Sequence, residues 1–239
     1  MNKKMFLVLD TETANGLDNP LVYDLGFAIC DKEGNIYYKK SIIISDVFLF
    51  SQDIMKTAYF AKKIPQYIED MSTGQSVIMD IVHAKFYIQY LIKKFNVQAV
   101  CAYNARFDVN ALNTTLRFIT KSKMRWFLPY GIEINCIWNM ACQVLYTQIG
   151  FYKFAELNNY ISNSGNFQTS AEIGYRYLTK DTDFSEEHRG LQDVEIELFI
   201  MARCYAQKKK MNKNIYRNCW YIPTKNFIEC FGEKPLKTF

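Results

Sequence analysis

The sequence predicts an α/β protein with a single main domain, a mixed sheet and flanking helices, and three observations lead to that prediction. The chain has 239 residues, which suits one domain, or at most two, of ~100–200 residues each. Apolar residues make up 49% of it, enough for a full hydrophobic core and too many for a disordered chain. Three strand-like segments open the chain and strand–helix units follow them, which is typical of layered α/β domains.

The opening strands are predicted from apolar runs and one turn. Residues 5–9 (MFLVL) form a continuous apolar run, as expected of a strand that is buried on both faces. Residues 21–30 and 36–45 are two further strand candidates, and the turn sequence KEGN between them predicts a hairpin. At least two of the three opening strands are therefore expected to be antiparallel.

The rest of the main domain is predicted to alternate between helix and strand. Residues 51–95 favour a helical insertion. Residues 97–103 predict a fourth strand, and Asn104 is a suitable N-cap for a helix over 105–120. Residues 132–137 predict a fifth strand, and helices are expected over 138–146 and 185–207. The expected apolar face of the insertion consists of Ile78, Ile81, Val82, Phe86, Tyr90 and Ile92.

Residues 208–239 differ from the main domain, residues 1–207, in charge. The whole chain has 29 basic and 24 acidic side chains, a formal net charge of +5, which permits an anionic partner without requiring one. Residues 208–239 are predicted to form a basic and aromatic C-terminal extension, which could dock a partner or pack over the core. Its basic residues are Lys208, Lys209, Lys210, Lys213, Arg217, Lys225, Lys234 and Lys237.

Cysteine and histidine usage argues against a zinc site. The seven cysteines are scattered without a CxxC pair, which favours buried, reduced thiols in an intracellular protein. His83 lies in the amphipathic stretch and is expected to be structural. Asp10 and Glu12 interrupt the first apolar run, so no signal peptide is expected, and no window approaches the ~20 apolar residues of a membrane span. The sequence therefore predicts a cytoplasmic protein with no membrane partner.

Asp10 and Glu12 follow the first apolar run, two residues apart. Residues i and i+2 of a strand point to the same face, so the two carboxylates are expected to project together. Their repulsion would be relieved by a divalent cation that prefers oxygen ligands, such as Mg²⁺ or Mn²⁺. Taken alone, however, such a pair is more often a strand end with both groups in water.

Two further segments contribute acidic residues. Asp108 in YNARFD lies just past the first turn of the helix that Asn104 would cap, where the helix dipole favours an anion. In HRGLQD, His188 and Asp193 are five residues apart, a rotation of about 140° on one helix. The two side chains can share a face only if His188 stands at the start of the helix and leans in.

Together, these segments resemble the three motifs of the DEDDh (DnaQ-like) 3′→5′ exonuclease family. Residues 9–13 (LDTET) are similar to the first motif, residues 104–108 (NARFD) to the second, N-A-x-F-D, and residues 188–193 to the third, H-x-x-x-x-D. The resemblance extends over about residues 5–205. Well-known members are the epsilon proofreading subunit of DNA polymerase III and ribonuclease T. Gly190 stands where many members carry a small residue such as alanine.

The resemblance implies a ribonuclease H-like fold with a mixed five-stranded sheet, and release of nucleoside 5′-monophosphates from 3′ ends. It also implies two divalent cations, Mg²⁺ or Mn²⁺. By resemblance, Asp10 would bridge both ions, and Glu12 and Asp193 would complete one site. Asp108 would help to hold the other, and His188 would accept a proton from the attacking water. The candidate substrate-binding residues are Thr11, Thr13, Leu17 as an apolar wedge, Asn104 and Phe107.

The expected substrate is a single-stranded DNA end. A 3′→5′ exoribonuclease or oligoribonuclease is the close alternative, because contacts to the 2′-OH are not visible in the sequence. A proofreading subunit docked on a polymerase, or a catalytically silent nucleic-acid-binding module of a replication complex, are further alternatives. All five catalytic-type residues are present, which favours an enzyme over a silent module.

Overall fold

A six-stranded mixed sheet forms the centre of the described structure, a computed structural model that covers residues 3–58 and 60–236. The strands lie side by side in the order β4-β3-β2-β1-β5-β6. β2 pairs antiparallel with both β1 and β3, whereas the β3–β4, β1–β5 and β5–β6 pairs are parallel. The predicted α/β class and mixed sheet are confirmed. The strands are β1 (Met5–Ala14), β2 (Leu21–Asp31), β3 (Ile36–Ile44), β4 (Ser76–Met79), β5 (Val97–Ala102) and β6 (Glu133–Cys136).

Helices cover both faces of this sheet, and short 3₁₀ turns lie at Ala61–Lys63 and Cys219–Tyr221. Within the described residues, none of the helices combines the length and the apolar character needed to cross a bilayer. The α-helices are α1 (Ser45–Phe48), α2 (Gln52–Met55), α3 (Ile64–Thr73), α4 (Ile81–Lys94), α5 (Ala105–Ile119), α6 (Ile137–Val144), α7 (Ile149–Leu157), α8 (Ala171–Thr179), α9 (Gly190–Ala206) and α10 (Ile222–Phe231).

β1 sends alternate side chains into two separate hydrophobic layers, as strand geometry requires. Leu7 and Leu9 are buried in the layer that contains α4 and α5. Phe6 and Val8 are buried in the layer that contains α6 to α9. Asp10 therefore continues the face that is covered by α9, and the odd-numbered positions continue the face that is covered by α5.

The helical insertion predicted over residues 51–95 contains a strand. Residues 76–79 (SVIM) pair parallel with β3 and add a sixth strand to the five that were predicted. Gly74 ends α3 in the left-handed conformation, with φ 75°, and so turns the chain back towards the sheet. A four-residue segment with three apolar side chains cannot be assigned to helix or strand by its periodicity, and pairing with β3 decides it here.

The buried face of α4 also differs from the predicted one. Phe86 and Tyr90 are exposed, whereas Ile81, Ala84 and Ile88 are fully buried. Apolar side chains occur on several sides of this helix, so more than one group of apolar residues has the spacing of a buried helical face. The set that includes Ala84 is buried because a small side chain allows the helix to lie close to the sheet.

The C-terminal extension packs against the α6–α9 layer. The backbone N–H of Cys136 donates to the Lys213 carbonyl at 2.7 Å. Further along, Phe227 of α10 is buried and its ring lies 5.1 Å from Tyr152 and 5.3 Å from Phe167, centroid to centroid. Six of the seven cysteines are buried, Cys230 is exposed, and all are free thiols.

Candidate active site

The three sequence motifs meet at one cavity of about 580 Å³. It lies near the carboxyl end of β1 and just after β5, which run parallel to each other. A strand, two helices and a loop that are far apart in sequence thus contribute to the same cavity. The predicted catalytic residues that line the cavity are Asp10, Glu12, Asp108, His188 and Asp193.

Asp10 and Glu12 enter the cavity from β1. Burial raises the pKa of Asp10 well above its usual value, and the nearby carboxylates of Glu197 and Asp108 add to that rise. Burial likewise raises the pKa of Glu12 to about 8, with a further contribution from the charge of Asp193. The cavity therefore disfavours the simultaneous ionisation of its own carboxyl groups.

Asp108 enters from the opposite side of the sheet, in the first turn of α5, and is held there by Thr11. Both the backbone N–H and the hydroxyl of Thr11 donate to Asp108 Oδ1, at 3.1 and 2.9 Å. Burial raises the pKa of Asp108 to about 7, although the Thr11 hydrogen bonds oppose that rise. Thr11 thus serves to orient a carboxylate of the neighbouring motif.

Asn104 stands at the N-cap position of α5, but the predicted side-chain cap is absent. Its backbone has φ −118° and ψ 62°, and its side chain makes no capping hydrogen bond. A capping residue is normally extended, so that its side chain reaches back to the first-turn N–H groups. Asn104 instead lines the cavity.

His188 precedes α9 rather than lying on it. The helix predicted over 185–207 begins only at Gly190, and His188 adopts the left-handed region with φ 51°, an uncommon conformation for a non-glycine residue. The Arg189 N–H donates to Asp193 Oδ2 at 3.1 Å. Ligand atoms of Glu12, His188 and Asp193 all lie within 4.8 Å of one another. A break in the helix thus brings the motif residues together.

The insertion contacts His188 and its neighbour directly. The ring of Phe60 stacks on the His188 imidazole, with centroids 4.1 Å apart and an interplanar angle of 11°. Lys63 Nζ donates to the carbonyl of Glu187. Burial lowers the pKa of His188, and the positive charge of Lys63 lowers it further, so the neutral imidazole is favoured at neutral pH.

Arg189 is held by the same insertion. It forms an ion pair with Asp70 of α3, and the two side chains are only 14% and 12% exposed. Its guanidinium also lies 5.4 Å from the centroid of the Tyr67 ring, within cation–π distance. These contacts fix the residue that follows His188.

The backbone of β2 lies so close to the backbone of the third motif that neither Gly26 nor Gly190 has room for a side chain. A Cβ on Gly190 would lie 2.6 Å from the Gly26 nitrogen, and a Cβ on Gly26 would lie 2.0 Å from the Gly190 carbonyl carbon. Asp24, which is buried, accepts from the Gly190 N–H at 3.0 Å and from the Ser41 hydroxyl at 2.9 Å. A Cβ at residue 190, even that of alanine, therefore does not fit this structure.

Two further carboxylates line the cavity and were not among the predicted residues. Glu197 is 5% exposed, and its Oε2 accepts from the Tyr103 N–H at 3.0 Å. Burial raises its pKa well above the usual value, and the charge of Asp108 adds to the rise. Glu197 follows Asp193 by four residues, so helical spacing from the third motif could have identified it. Burial also raises the pKa of Glu186 to about 8.

The predicted substrate-binding residues divide between two neighbouring cavities. Thr11 lines the first cavity, Asn104 and Phe107 line both, and Leu17 lines the second, which has a volume of about 560 Å³. Leu17 is 81% exposed. Thr13 is not part of either lining. The five candidates therefore do not form one cluster.

Comparison with solved structures identifies the fold. The structure is similar to that of E. coli exonuclease I in complex with a 5cy-dT13 oligonucleotide, with a TM-score of 0.50 and 14% sequence identity over 87% of this chain and 41% of exonuclease I. The fold is ribonuclease H-like. The zinc-bound E. coli exonuclease I–ssDNA complex gives a TM-score of 0.47 and 13% identity over 87% and 41% of the two chains. This chain thus spans about two-fifths of the length of exonuclease I.

Sequence comparisons give no match at the family level. No protein-family model matches the chain, and no curated protein matches it. The ribonuclease H-like fold agrees with the superfamily that the three motifs suggest. A closer relation to the epsilon subunit or to ribonuclease T has no support from these comparisons.

The donor set of this candidate site fits hard divalent cations. Asp193 Oδ1 is buried and has no hydrogen-bond partner within the described residues, as expected of an oxygen that awaits a ligand. The cluster of Glu12, His188 and Asp193 supplies carboxylate oxygens and one imidazole nitrogen. Carboxylate-rich sites suit Mg²⁺ or Mn²⁺. Bound cations would also offset the burial and the mutual repulsion that raise the pKa values of the Asp10 and Glu12 carboxyl groups.

Proposed function

We propose that the protein is a metal-dependent 3′→5′ exonuclease that acts on single-stranded DNA ends and releases nucleoside 5′-monophosphates. One observation carries the proposal: the catalytic-type residues of all three motifs line a single cavity, although they come from β1, α5, a loop and α9. The ribonuclease H-like fold supports it. The residues concerned are Asp10, Glu12, Asp108, His188 and Asp193.

The four aspartate and glutamate residues of this set would hold two divalent cations, Mg²⁺ or Mn²⁺. When bound, such cations stabilise the attacking and the leaving oxygen of a phosphodiester. The chain contributes the orientation of the ligands: Thr11 donates two hydrogen bonds to Asp108, and the Arg189 N–H holds one oxygen of Asp193. Ligands oriented in this way lose less freedom when a cation binds.

His188 accepts the proton of the attacking water at a ring nitrogen. Its lowered pKa, caused by burial and by Lys63, keeps the imidazole unprotonated at neutral pH and therefore able to accept. Its ligand atom also lies close to Glu12 and Asp193, so a role as a metal ligand is the alternative. The metal affinity of a His188→Ala variant separates the two roles, because loss of a metal ligand weakens cation binding whereas loss of a proton acceptor leaves it largely intact.

Aromatic side chains of the first cavity suit an unpaired terminal base. Phe107 and Trp138 line it, and Trp138 Nε1 donates to the Thr169 hydroxyl at 2.9 Å, which fixes the indole. Stacking on such rings tolerates any base, because every base has a π face. The proposal therefore favours a single-stranded end without sequence preference, and RNA is the close variant. Docking on a polymerase stays a prediction.

The test uses a 5′-labelled 20-nucleotide single-stranded DNA with Mg²⁺ or Mn²⁺. We expect a ladder that shortens from the 3′ end, with free nucleoside 5′-monophosphates detected by chromatography. EDTA and the near-isosteric Asp10→Asn variant should both abolish the ladder, while circular dichroism shows that the variant is folded. A matched RNA substrate measures the sugar preference. Binding without cleavage under both metals, or internal cleavage of a circular strand, would overturn the proposal.

A further inference from the structure

We propose that the C-terminal extension completes a second nucleotide-binding site, which holds the nucleotides immediately upstream of the 3′-terminal one. This inference rests on the proposed function, and it names how the strand lies on the protein. The site is the second cavity, of about 560 Å³. Its occupant is the phosphate backbone and the unpaired bases of single-stranded DNA.

The second cavity continues the first one. Asn104, Phe107 and Trp138 belong to the linings of both, so the same side chains form the boundary between them. A strand whose 3′ end lies beside Asp10 can therefore pass over this boundary into the second cavity without leaving the protein surface. Neighbouring nucleotides of one strand would occupy neighbouring cavities.

The charge of the two cavities is opposite. The first cavity is rich in carboxylates, whereas the lining of the second contains Arg106 and Arg217 and no acidic side chain. Within residues 3–58 and 60–236, neither arginine takes part in an ion pair. A guanidinium binds phosphate with two parallel hydrogen bonds. Two arginines without acidic partners are thus suited to a phosphate backbone.

The second cavity also presents exposed apolar side chains for base contacts. Tyr216 is 49% exposed, and Ile215 and Leu17 are exposed as well; all three belong to the lining. When a base stacks on an exposed tyrosine, one face of the base and one face of the ring are removed from water, and this contact does not depend on which base it is. Charge and stacking surface therefore occur together in one groove.

The segment that carries Tyr216 and Arg217 is held in place by the fold. The Lys213 carbonyl accepts from the Cys136 N–H at 2.7 Å, and the Asn214 carbonyl accepts from Asn139 Nδ2 at 2.8 Å. A turn follows, because the Tyr216 carbonyl accepts a hydrogen bond from a backbone N–H three residues later, at 3.3 Å. A site held in this way binds a ligand with a smaller ordering cost.

The test measures how affinity depends on strand length. Fluorescence anisotropy with Mg²⁺ would use fluorescein-labelled dT2 and dT8 that carry phosphorothioate linkages to suppress cleavage. We expect the wild-type protein to bind dT8 more tightly than dT2. Arg217→Gln should weaken dT8 binding about tenfold and dT2 binding much less, and should reduce the slope of log K against log salt by about 1. Tyr216→Leu should weaken dT8 binding about fivefold with an unchanged salt slope.

Lys210→Gln is the matched control, because Lys210 is an exposed basic residue of the extension outside both linings. It should change dT8 affinity less than twofold. Equal losses for dT2 and dT8 in Arg217→Gln, or an equal effect of the control, would overturn the inference. Length-dependent binding without any cleavage by the wild-type protein would instead overturn the proposed exonuclease function and leave this site standing.

Discussion

The ring of Phe60 lies flat against the imidazole of His188, with centroids 4.1 Å apart and 11° between the planes. Phe60 comes from the insertion, and His188 belongs to the third motif. The stack covers one face of the imidazole, and burial is the largest cause of the lowered pKa of His188. A segment with no motif of its own thus sets the environment of the proposed proton acceptor.

Replacing Phe60 with alanine should raise the pKa of His188 and slow turnover about tenfold. Removal of the ring hydrates the imidazole, which stabilises its charged form, so the acidic limb of the pH–rate profile should move to higher pH. The profile of kcat against pH measures this effect. NMR titration of His188 provides a direct check, because the chain has only one other histidine, His83, which is exposed and lies outside both cavities.

Phe118→Ala serves as the control for that variant, since Phe118 is also partly exposed but lies outside both cavities. It should leave the pH profile in place. A Phe60→Ala profile that matches wild type would show that the stack does not govern His188.

Arg189 and Asp70 should be strongly coupled in their contributions to the free energy of unfolding. Their side chains are largely buried, and removal of one partner leaves an uncompensated buried charge, at a cost of ~3–5 kcal/mol. Asp70→Asn should therefore lower the free energy of unfolding in urea by about 3 kcal/mol. The double variant with Arg189→Met should be more stable than the sum of the single losses predicts.

The exposed pair Lys225–Glu229 is the comparison for this experiment. Glu229→Gln should change stability by less than ~1 kcal/mol, as is usual for surface pairs. Additive losses from the Arg189 and Asp70 variants would argue against the coupling.

Gly190→Ala should impair both folding and activity. The new Cβ would lie 2.6 Å from the Gly26 nitrogen and 3.3 Å from the Asp10 carbonyl oxygen, and backbone atoms cannot rotate away as a side chain can. We expect a loss of at least ~1–3 kcal/mol, measured by thermal unfolding, and a fall in kcat. Gly150→Ala is the control, because the atoms nearest to its Cβ would belong to a side chain rather than to backbone, the closest being the Tyr177 hydroxyl at 3.1 Å. Wild-type activity of Gly190→Ala would contradict the close backbone contact.

In EDTA, the melting temperature should fall as the pH rises from about 6.5 to about 8. The pKa of Glu12 is raised to about 8, and those of Asp108 and Asp193 to about 7. These groups bind protons more tightly in the folded protein than in the unfolded chain. Their contribution to stability is therefore complete below a pH of ~4, and it is lost as the pH rises through the pKa values of the folded protein. Differential scanning fluorimetry measures the trend.

Mn²⁺ should reverse that fall in melting temperature, and more strongly at pH 8 than at pH 6.5, because ionised carboxylates bind the cation. The Glu12→Gln variant should show a weaker pH dependence in EDTA. A melting temperature in EDTA that rises over the same range would contradict the assignment.

Thr11→Val should weaken divalent metal binding although Thr11 is not a proposed ligand. The valine lacks the hydroxyl that donates to Asp108 at 2.9 Å, and loss of a group that orients a ligand typically costs ~10–100-fold in metal affinity. Isothermal titration with Mn²⁺ measures the change. Thr11→Ser keeps the donor and should restore most of the affinity; equal losses in both variants would point to packing instead.

The motif residues were identifiable from the sequence because their chemistry is local. The Asp10–Glu12 pair follows from strand periodicity, and the order of the three motifs along the chain predicts a single site. Side chains alternate along β1, so Asp10 is expected on the same face as Phe6 and Val8. Glu197 could have been found by helical spacing from Asp193.

Other parts of the site depend on contacts between distant segments, for which local patterns carry no signal. Asn104 has the residue type of an N-cap, yet its backbone is not extended. The helical pattern around residues 185–207 is continuous, but α9 begins only at Gly190, where the backbone meets Gly26 and Asp24. The strand at residues 76–79 exists because β3 offers it a partner.

The sequence by itself determined the α/β class, the central strands and the candidate catalytic residues, because these follow from periodicity and side-chain type. The tertiary structure alone decided that Phe60 and Arg189 position the third motif, that glycine is required at residue 190, and that Tyr216 and Arg217 border a second cavity. Each of these depends on atoms that are far apart along the chain and are brought together only by burial of the shared core.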